Sequence, residues 1–168
     1  LLEYDIDHVA WFYGRSAATT DLLERLQRSA LTVLHAESGA GKTSLLKAGI
    51  VPRLLAAGHM PLYIRPYQTP GHYAVKRALL PQLEQTPTLA ITSLHDFMRR
   101  VADLLNGQQV IVLIDQFEEL FTVQEARSRM EFIYELAPCL EDDLLPVRWL
   151  WALRGEWLTQ LGTFRPTI

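Results

Sequence analysis

Residues 36–43 read Ala36-Glu37-Ser38-Gly39-Ala40-Gly41-Lys42-Thr43. Two glycines, a lysine and a hydroxyl in this order are the groups that hold phosphate. Gly39 and Gly41 let the backbone curl so that successive N–H groups converge on phosphate oxygens. A helix that starts near Lys42 aims its positive dipole end at the same place. Lys42 has the reach for β- and γ-phosphates, and the Thr43 hydroxyl suits magnesium. The candidate phosphate contacts are therefore Ser38, Gly39, Ala40, Gly41, Lys42, Thr43 and Ser44. The pattern is G-x-x-x-x-G-K-[ST] with alanine at its first position, which ordinary backbone torsions accommodate. Lysine is scarce elsewhere, with three lysines against thirteen arginines, so its place here is pointed. The alanines at 36 and 40 exclude a serine nucleophile elbow centred on Ser38.

A second chemical cluster is Asp115-Gln116-Phe117-Glu118-Glu119. It follows Val110-Ile111-Val112-Leu113-Ile114, five aliphatic residues in a row. Such a run must be covered on both faces, as in a central parallel strand. An acid at its C-terminal end lies at the ligand-binding edge of an open α/β sheet. Asp115 is thus the candidate second partner of magnesium, with Thr43 the first. Glu118 or Glu119 is the candidate acid that orients or deprotonates an attacking water. The plainer alternative has Asp115 capping a helix whose first turn holds the glutamates, favoured there by the dipole.

The elements that must position these groups alternate between strand and helix. Strands are expected at Leu31–His35, Leu62–Ile64, Val110–Ile114 and Val147–Leu153. A short amphipathic helix begins at Thr20. Thr43–Ala57 reads as a helix bent or ended near Pro52, with Gly58 as its stop. Tyr73–Gln85, Ser93–Asn106 and Gln124–Leu140 read as helices, and another starts at Glu156. Ser93 is a good N-cap and Gly107 a good C-terminal stop. Pro66–Gly71 reads as a loop. The pattern predicts an α/β domain, a three-layer sandwich around a mainly parallel sheet.

The 168 residues are 49% hydrophobic and 21% charged, with a net charge of −3. That composition excludes intrinsic disorder. The longest run without Asp, Glu, Lys or Arg is eleven residues, too short for a membrane span. A single cysteine, Cys139, excludes an internal disulfide framework. Mild acidity argues against a dedicated nucleic-acid surface. No signal peptide is visible, which with the missing span points to the cytoplasm. The chain opens without methionine and ends directly after an apolar segment, so it reads as one truncated domain, residues 1–168, of a longer protein.

Four stretches together resemble a known family. They are Trp11-Phe12-Tyr13-Gly14-Arg15, AESGAGKTSLLKAGIVPRL at 36–54, VIVLIDQFEELFT at 110–122 and LWALRGEWLTQL at 150–161. They resemble the novel-STAND class of signal-transducing P-loop NTPases, related to the AAA+ and NACHT groups. The resemblance implies ATP and Mg²⁺ as cofactors, with Asp115 as the Walker B acid. It implies that Tyr13, Gly14 and Arg15 lie beside the base and ribose. It implies that the strand ending in Arg154 is inserted between the phosphate-loop strand and the Asp115 strand, with Arg154 at the γ-phosphate. It implies a strand order 5-1-4-3-2, so a fifth strand and a winged-helix region are expected beyond Ile168. Effector and repeat domains such as WD40, bacterial conflict or antiviral defence, and self-association on activation are further implications.

The chain departs from many AAA+ relatives at Gln116, where they carry the catalytic glutamate. That moves the water-activating role to Glu118 or Glu119. The expected function is an ATP-driven signalling switch, with ATP or ADP and the protein's other domains as partners. A small-molecule phosphotransferase would need an arginine-rich lid, which is not evident after the third strand. A DNA-handling AAA+ ATPase is disfavoured by the acidity. Adenine is favoured over guanine because no [NT]KxD pattern occurs.

Overall fold

A computed structural model describes residues 16–65, 69–81, 85–165 and 167. Its centre is a four-stranded, all-parallel sheet of order β1-β4-β3-β2. The strands are β1 (Leu31–Ala36), β2 (Met60–Ile64), β3 (Val110–Ile114) and β4 (Val147–Arg154). All five residues of β3 are buried, as an aliphatic run between two covered faces requires. Alternate residues serve opposite layers. Val110, Val112, Ile114, Trp149, Trp151 and Leu153 join one core, while Ile111, Leu113, Leu150 and Ala152 join the other. Each fully buried aliphatic side chain contributes about 1.5–3 kcal/mol of transfer free energy.

The second core is covered by α1 (Ser16–Arg28) and by the helical stretch behind the phosphate loop. Thr19, Leu22 and Leu26 form the buried stripe of α1, at helical spacing. The stretch behind the loop is three pieces: α2 (Lys42–Ser44), a π-helical turn (Leu45–Ile50) and α3 (Val51–Ala56). The expected helix over 43–57 is therefore present but widened. Pro52 opens α3, and its ring would strike the carbonyl four residues back in a regular helix. The wider turn relieves this, and the Val51 N–H bonds to the Leu46 carbonyl instead. Gly58, at φ 78°, ends the stretch.

The first core is covered by α4 (Gly71–Leu79), α6 (Leu94–Leu104), α8 (Ala126–Glu141) and a 3₁₀ helix (Gly155–Phe164). Ser93 caps α6 by accepting from the Asp96 N–H at 3.1 Å, as its residue type predicts. The helix expected over Tyr73–Gln85 is shorter, because Leu80 turns extended before Pro81. It also starts earlier, so Gly71 belongs to α4 rather than to the loop; residues 66–68 of that loop lie outside the described residues. One short helix, α5 (Pro87–Ile91), was not expected; another, α7 (Glu119–Thr122), follows the acidic cluster, where the plainer alternative placed a helix. The helix expected from Gln124 starts at Ala126, and the segment after Arg154 is 3₁₀ rather than α. Lys76 of α4 is buried among these helices and donates to the Ala90 carbonyl at 3.2 Å and to the Thr92 carbonyl, capping the end of α5.

No helix among the described residues is long and apolar enough to cross a membrane.

Candidate nucleotide site

All four strands are parallel, so their C-terminal ends share one edge of the sheet. Ala36 of β1 pairs with Arg154 of β4, and Ile64 of β2 pairs with Ile114 of β3. The phosphate loop, Arg154, Asp115 and Arg65 thereby arrive at one rim from four separate parts of the chain.

The loop after β1 has the geometry its glycines permit. Gly39 lies at φ 75° and Gly41 at φ 80°, where a side chain would be strained. Lys42 and Thr43 follow in the first turn of α2, where backbone N–H groups have no intrahelical acceptor. The Lys42 ammonium folds back over the loop, donating to the carbonyls of Ala36 and Glu37 at 2.9 and 3.0 Å. Burial lowers its pKa, and the carboxylates of Glu118 and Asp115 pull in the opposite direction.

Thr43 and Asp115 are 72 residues apart and meet at 2.6 Å, hydroxyl to carboxylate. Asp115 is 1% exposed. Its Oδ1 accepts from the Gln116 N–H at 3.0 Å. Asp115 does not cap the following helix: α7 begins at Glu119, with Glu118 at its N-cap position.

Gln116 stands at φ 54°, an uncommon left-handed conformation for a residue with a side chain. This twist sends Phe117 inward, where its N–H bonds to the Ala152 carbonyl at 2.8 Å and its ring stacks on Trp151 at 4.1 Å. The chain then returns to the rim with Glu118. Glu118 Oε2 accepts from the Arg154 N–H at 3.3 Å, and Oε1 lies 3.2 Å from the Arg154 Nε. Arg154 also approaches Glu156, but only to 3.9 Å. The Arg154 side chain remains 49% exposed and accessible from the rim.

Glu119 faces differently. Its Oε2 is buried with no hydrogen-bond partner among the described residues. Burial raises its pKa; Arg65 opposes this, and Glu118 and Asp115 reinforce it.

Two residues at the site were not anticipated from sequence. Tyr63 donates its hydroxyl to Asp115 Oδ2 at 2.6 Å, and Arg65 donates from Nε to the Tyr63 oxygen at 3.2 Å. Arg65 also stands 3.5 Å from Asp115. Burial, then the Asp115 carboxylate, pushes the Tyr63 phenol far above its ordinary range. The available signal was the hydroxyl itself: a tyrosine in a buried strand needs a partner. Tyr13, Gly14 and Arg15 lie outside the described residues.

The donor set fits a nucleotide polyphosphate with magnesium. The loop offers N–H groups and one ammonium. Thr43 and Asp115 offer hard oxygen atoms, the ligand type magnesium takes. Among the described residues no cluster of three His, Cys, Asp or Glu forms a cage for a metal ion.

A parallel sheet with a phosphate loop after its first strand and an acid after its third belongs to the P-loop NTPase class. The profile of the family described as Novel STAND NTPase 1 (nSTAND1) matches residues 1–167, and the chain belongs to that family. Among solved structures the chain is similar to the Walker-type ATPase PABY2304 of Pyrococcus abyssi, with TM-score 0.63 and 19% identity over 91% of this chain and 48% of that one. It is similar to the ORC2 protein of Aeropyrum pernix in its ADPNP–ADP complexes, with TM-score 0.65 and 16% identity over 94% and 46%. The ORC1 protein of the same organism, in complex with DNA, gives TM-score 0.56 and 16% identity over 91% and 41%. The chain thus spans less than half the length of these proteins. At these identities the likeness shows the fold. A comparison with curated protein sequences finds no match.

Proposed function

We propose that this chain is the ATP-binding core of a signalling NTPase, in which ATP holds one arrangement of domains and hydrolysis or exchange releases it. The observation that carries the reading is the 2.6 Å contact between Thr43 and Asp115. It joins the phosphate loop to the acidic strand end at the one place where a nucleotide's metal is needed.

The roles divide by position. Backbone N–H groups from Ser38 to Ser44 hold phosphate oxygens, and Lys42 leaves the Ala36 and Glu37 carbonyls to neutralise the β- and γ-phosphates. Thr43, with Asp115 behind it, would hold magnesium, which would supply charge neutralisation at the same oxygens. Arg154, half-exposed at the end of β4, is placed to meet the γ-phosphate with its forked guanidinium. Glu118 orients or deprotonates the attacking water. It is preferred to Glu119 because its carboxylate stands at the rim beside Arg154, 3.2 Å from the guanidinium. Tyr13, Gly14 and Arg15 contact the base and ribose.

The product side of the reaction is the switch. Lost γ-phosphate contacts release whatever Arg154 and the loops hold. Other domains of the same protein are the natural receivers, and action in bacterial defence fits this scheme. The outer backbone edge of β1, which pairs only with β4 among the described strands, would favour self-association when uncovered.

The test is Mg²⁺-dependent ATP binding, read by fluorescence of a labelled ATP. Lys42→Ala removes a charge-assisted contact worth roughly 1.5–3 kcal/mol. Binding should weaken about ten- to a hundred-fold. Equal affinity in a folded Lys42→Ala variant defeats the reading.

A further inference from the structure

We propose that Tyr63 is a positioning residue for the magnesium site: with Arg65 behind it, its hydroxyl holds the Asp115 carboxylate so that Thr43 presents its lone pairs to the ion. The proposal rests on the reading of Asp115 and Thr43 as the magnesium pair.

The argument is one of proton direction. A guanidinium only donates. Arg65 Nε donates to the Tyr63 oxygen at 3.2 Å, so the Tyr63 proton must point elsewhere, and the available acceptor is Asp115 Oδ2 at 2.6 Å. The chain of donors runs Arg65 to Tyr63 to Asp115. On the far side, Gln116 N–H holds the other carboxylate oxygen at 3.0 Å. The carboxylate plane is thereby held at both oxygens, with 1% of the residue exposed.

A carboxylate held in this way has one consequence for Thr43. Its hydroxyl donates to the same Oδ2 at 2.6 Å. The single Thr43 proton is spent on Asp115, so that oxygen keeps both lone pairs for an electrophile. A hydroxyl in that orientation is ready to serve a divalent cation. Groups that orient a metal's ligands usually carry about ten- to a hundred-fold of the metal affinity. Tyr63 reaches this position because β2 pairs with β3 in register, Tyr63 beside Leu113 and Ile64 beside Ile114. Lys47 lies 5.3 Å from the centre of its ring, which anchors the aromatic body independently of the hydroxyl.

Tyr63→Phe removes the hydroxyl and keeps the ring. The experiment titrates Mg²⁺ into the protein with fluorescent ATP present, and separately measures binding of that ATP in excess chelator. The expected result is a roughly tenfold higher Mg²⁺ requirement in Tyr63→Phe, with chelator-phase affinity unchanged in protein that remains folded. Arg65→Gln, which loses the guanidinium donor, should shift the requirement in the same direction by less. An unchanged Mg²⁺ requirement in Tyr63→Phe, while Asp115→Asn raises it, overturns the proposal and leaves the site reading intact. An equal loss with and without Mg²⁺ overturns it too, because that marks a general distortion of the loop. An unchanged requirement in Asp115→Asn defeats the site reading itself, and the proposal with it.

Discussion

The two oxygens of Glu118 are both taken by Arg154, one by its backbone N–H at 3.3 Å and one by its guanidinium at 3.2 Å. The residues are 36 positions apart and come from neighbouring strands' ends. A carboxylate gripped by both main chain and side chain of one residue reports that residue's position directly. If Arg154 turns toward a γ-phosphate, the guanidinium half of the grip loosens while the backbone half stays. Glu118 is then released toward the space the guanidinium has left.

Glu118→Gln should retain ATP and lose turnover by roughly 10²–10⁴-fold, because a water-orienting base acts mainly in the transition state. The double change with Glu119→Gln should add little. Single-turnover hydrolysis beside equilibrium ATP binding, in the full-length protein, checks this. Turnover that survives Glu118→Gln and falls with Glu119→Gln transfers the role to Glu119; turnover that survives both places the acid elsewhere.

The buried oxygen of Glu119, without a hydrogen-bond partner among the described residues, makes a pH prediction. Its pKa is raised in the folded protein, chiefly by burial. The native state therefore holds this proton more tightly than the unfolded chain does. Stability falls as pH rises from the ordinary value near 4.5 through the raised one. Glu119→Gln, which is neutral throughout, should unfold at a higher temperature than the parent at neutral pH. The gap should close as pH is lowered toward 4. Thermal unfolding of the two proteins across that range is the measurement, and a gap that widens on acidification would contradict the assignment.

Gly71 opens α4 directly against the ring of Phe132. A Cβ at this position would lie 2.6 Å from the ring's Cγ, and Phe132 is fully buried. The ring cannot withdraw without disturbing α8. Gly71→Ala should cost about 1–3 kcal/mol, the usual penalty for overpacking. Urea unfolding should show a lower midpoint at unchanged slope. Gly58→Ala provides a contrast: its Cβ meets nothing within 4 Å, so only the strain of φ 78° is paid.

The local chemistry of this protein was legible in its sequence. The glycines at 39 and 41, Lys42 and Thr43 define a phosphate loop because neighbouring residues along the chain suffice to build it. The five aliphatics of β3 announce a covered strand, and Asp115 stands at its end by adjacency alone. Ser93 and Gly58 mark helix ends for the same reason: capping and left-handed stops are properties of one or two residues. The insertion of β4 between β1 and β3 was available only through family resemblance, since no periodicity encodes the order of parallel strands. Tertiary structure alone decided the rest. Tyr63 looked like a strand aromatic until β3 brought Asp115 beside it. Glu118 and Glu119, adjacent and chemically alike, part company because Gln116 takes φ 54° and turns one toward Arg154 and the other into a buried gap. The widening before Pro52 depends on where the strained turn can be absorbed. Each of these outcomes turns on contacts between distant segments, and a hydrogen bond across the sheet's rim has no counterpart in the spacing of residues along the chain.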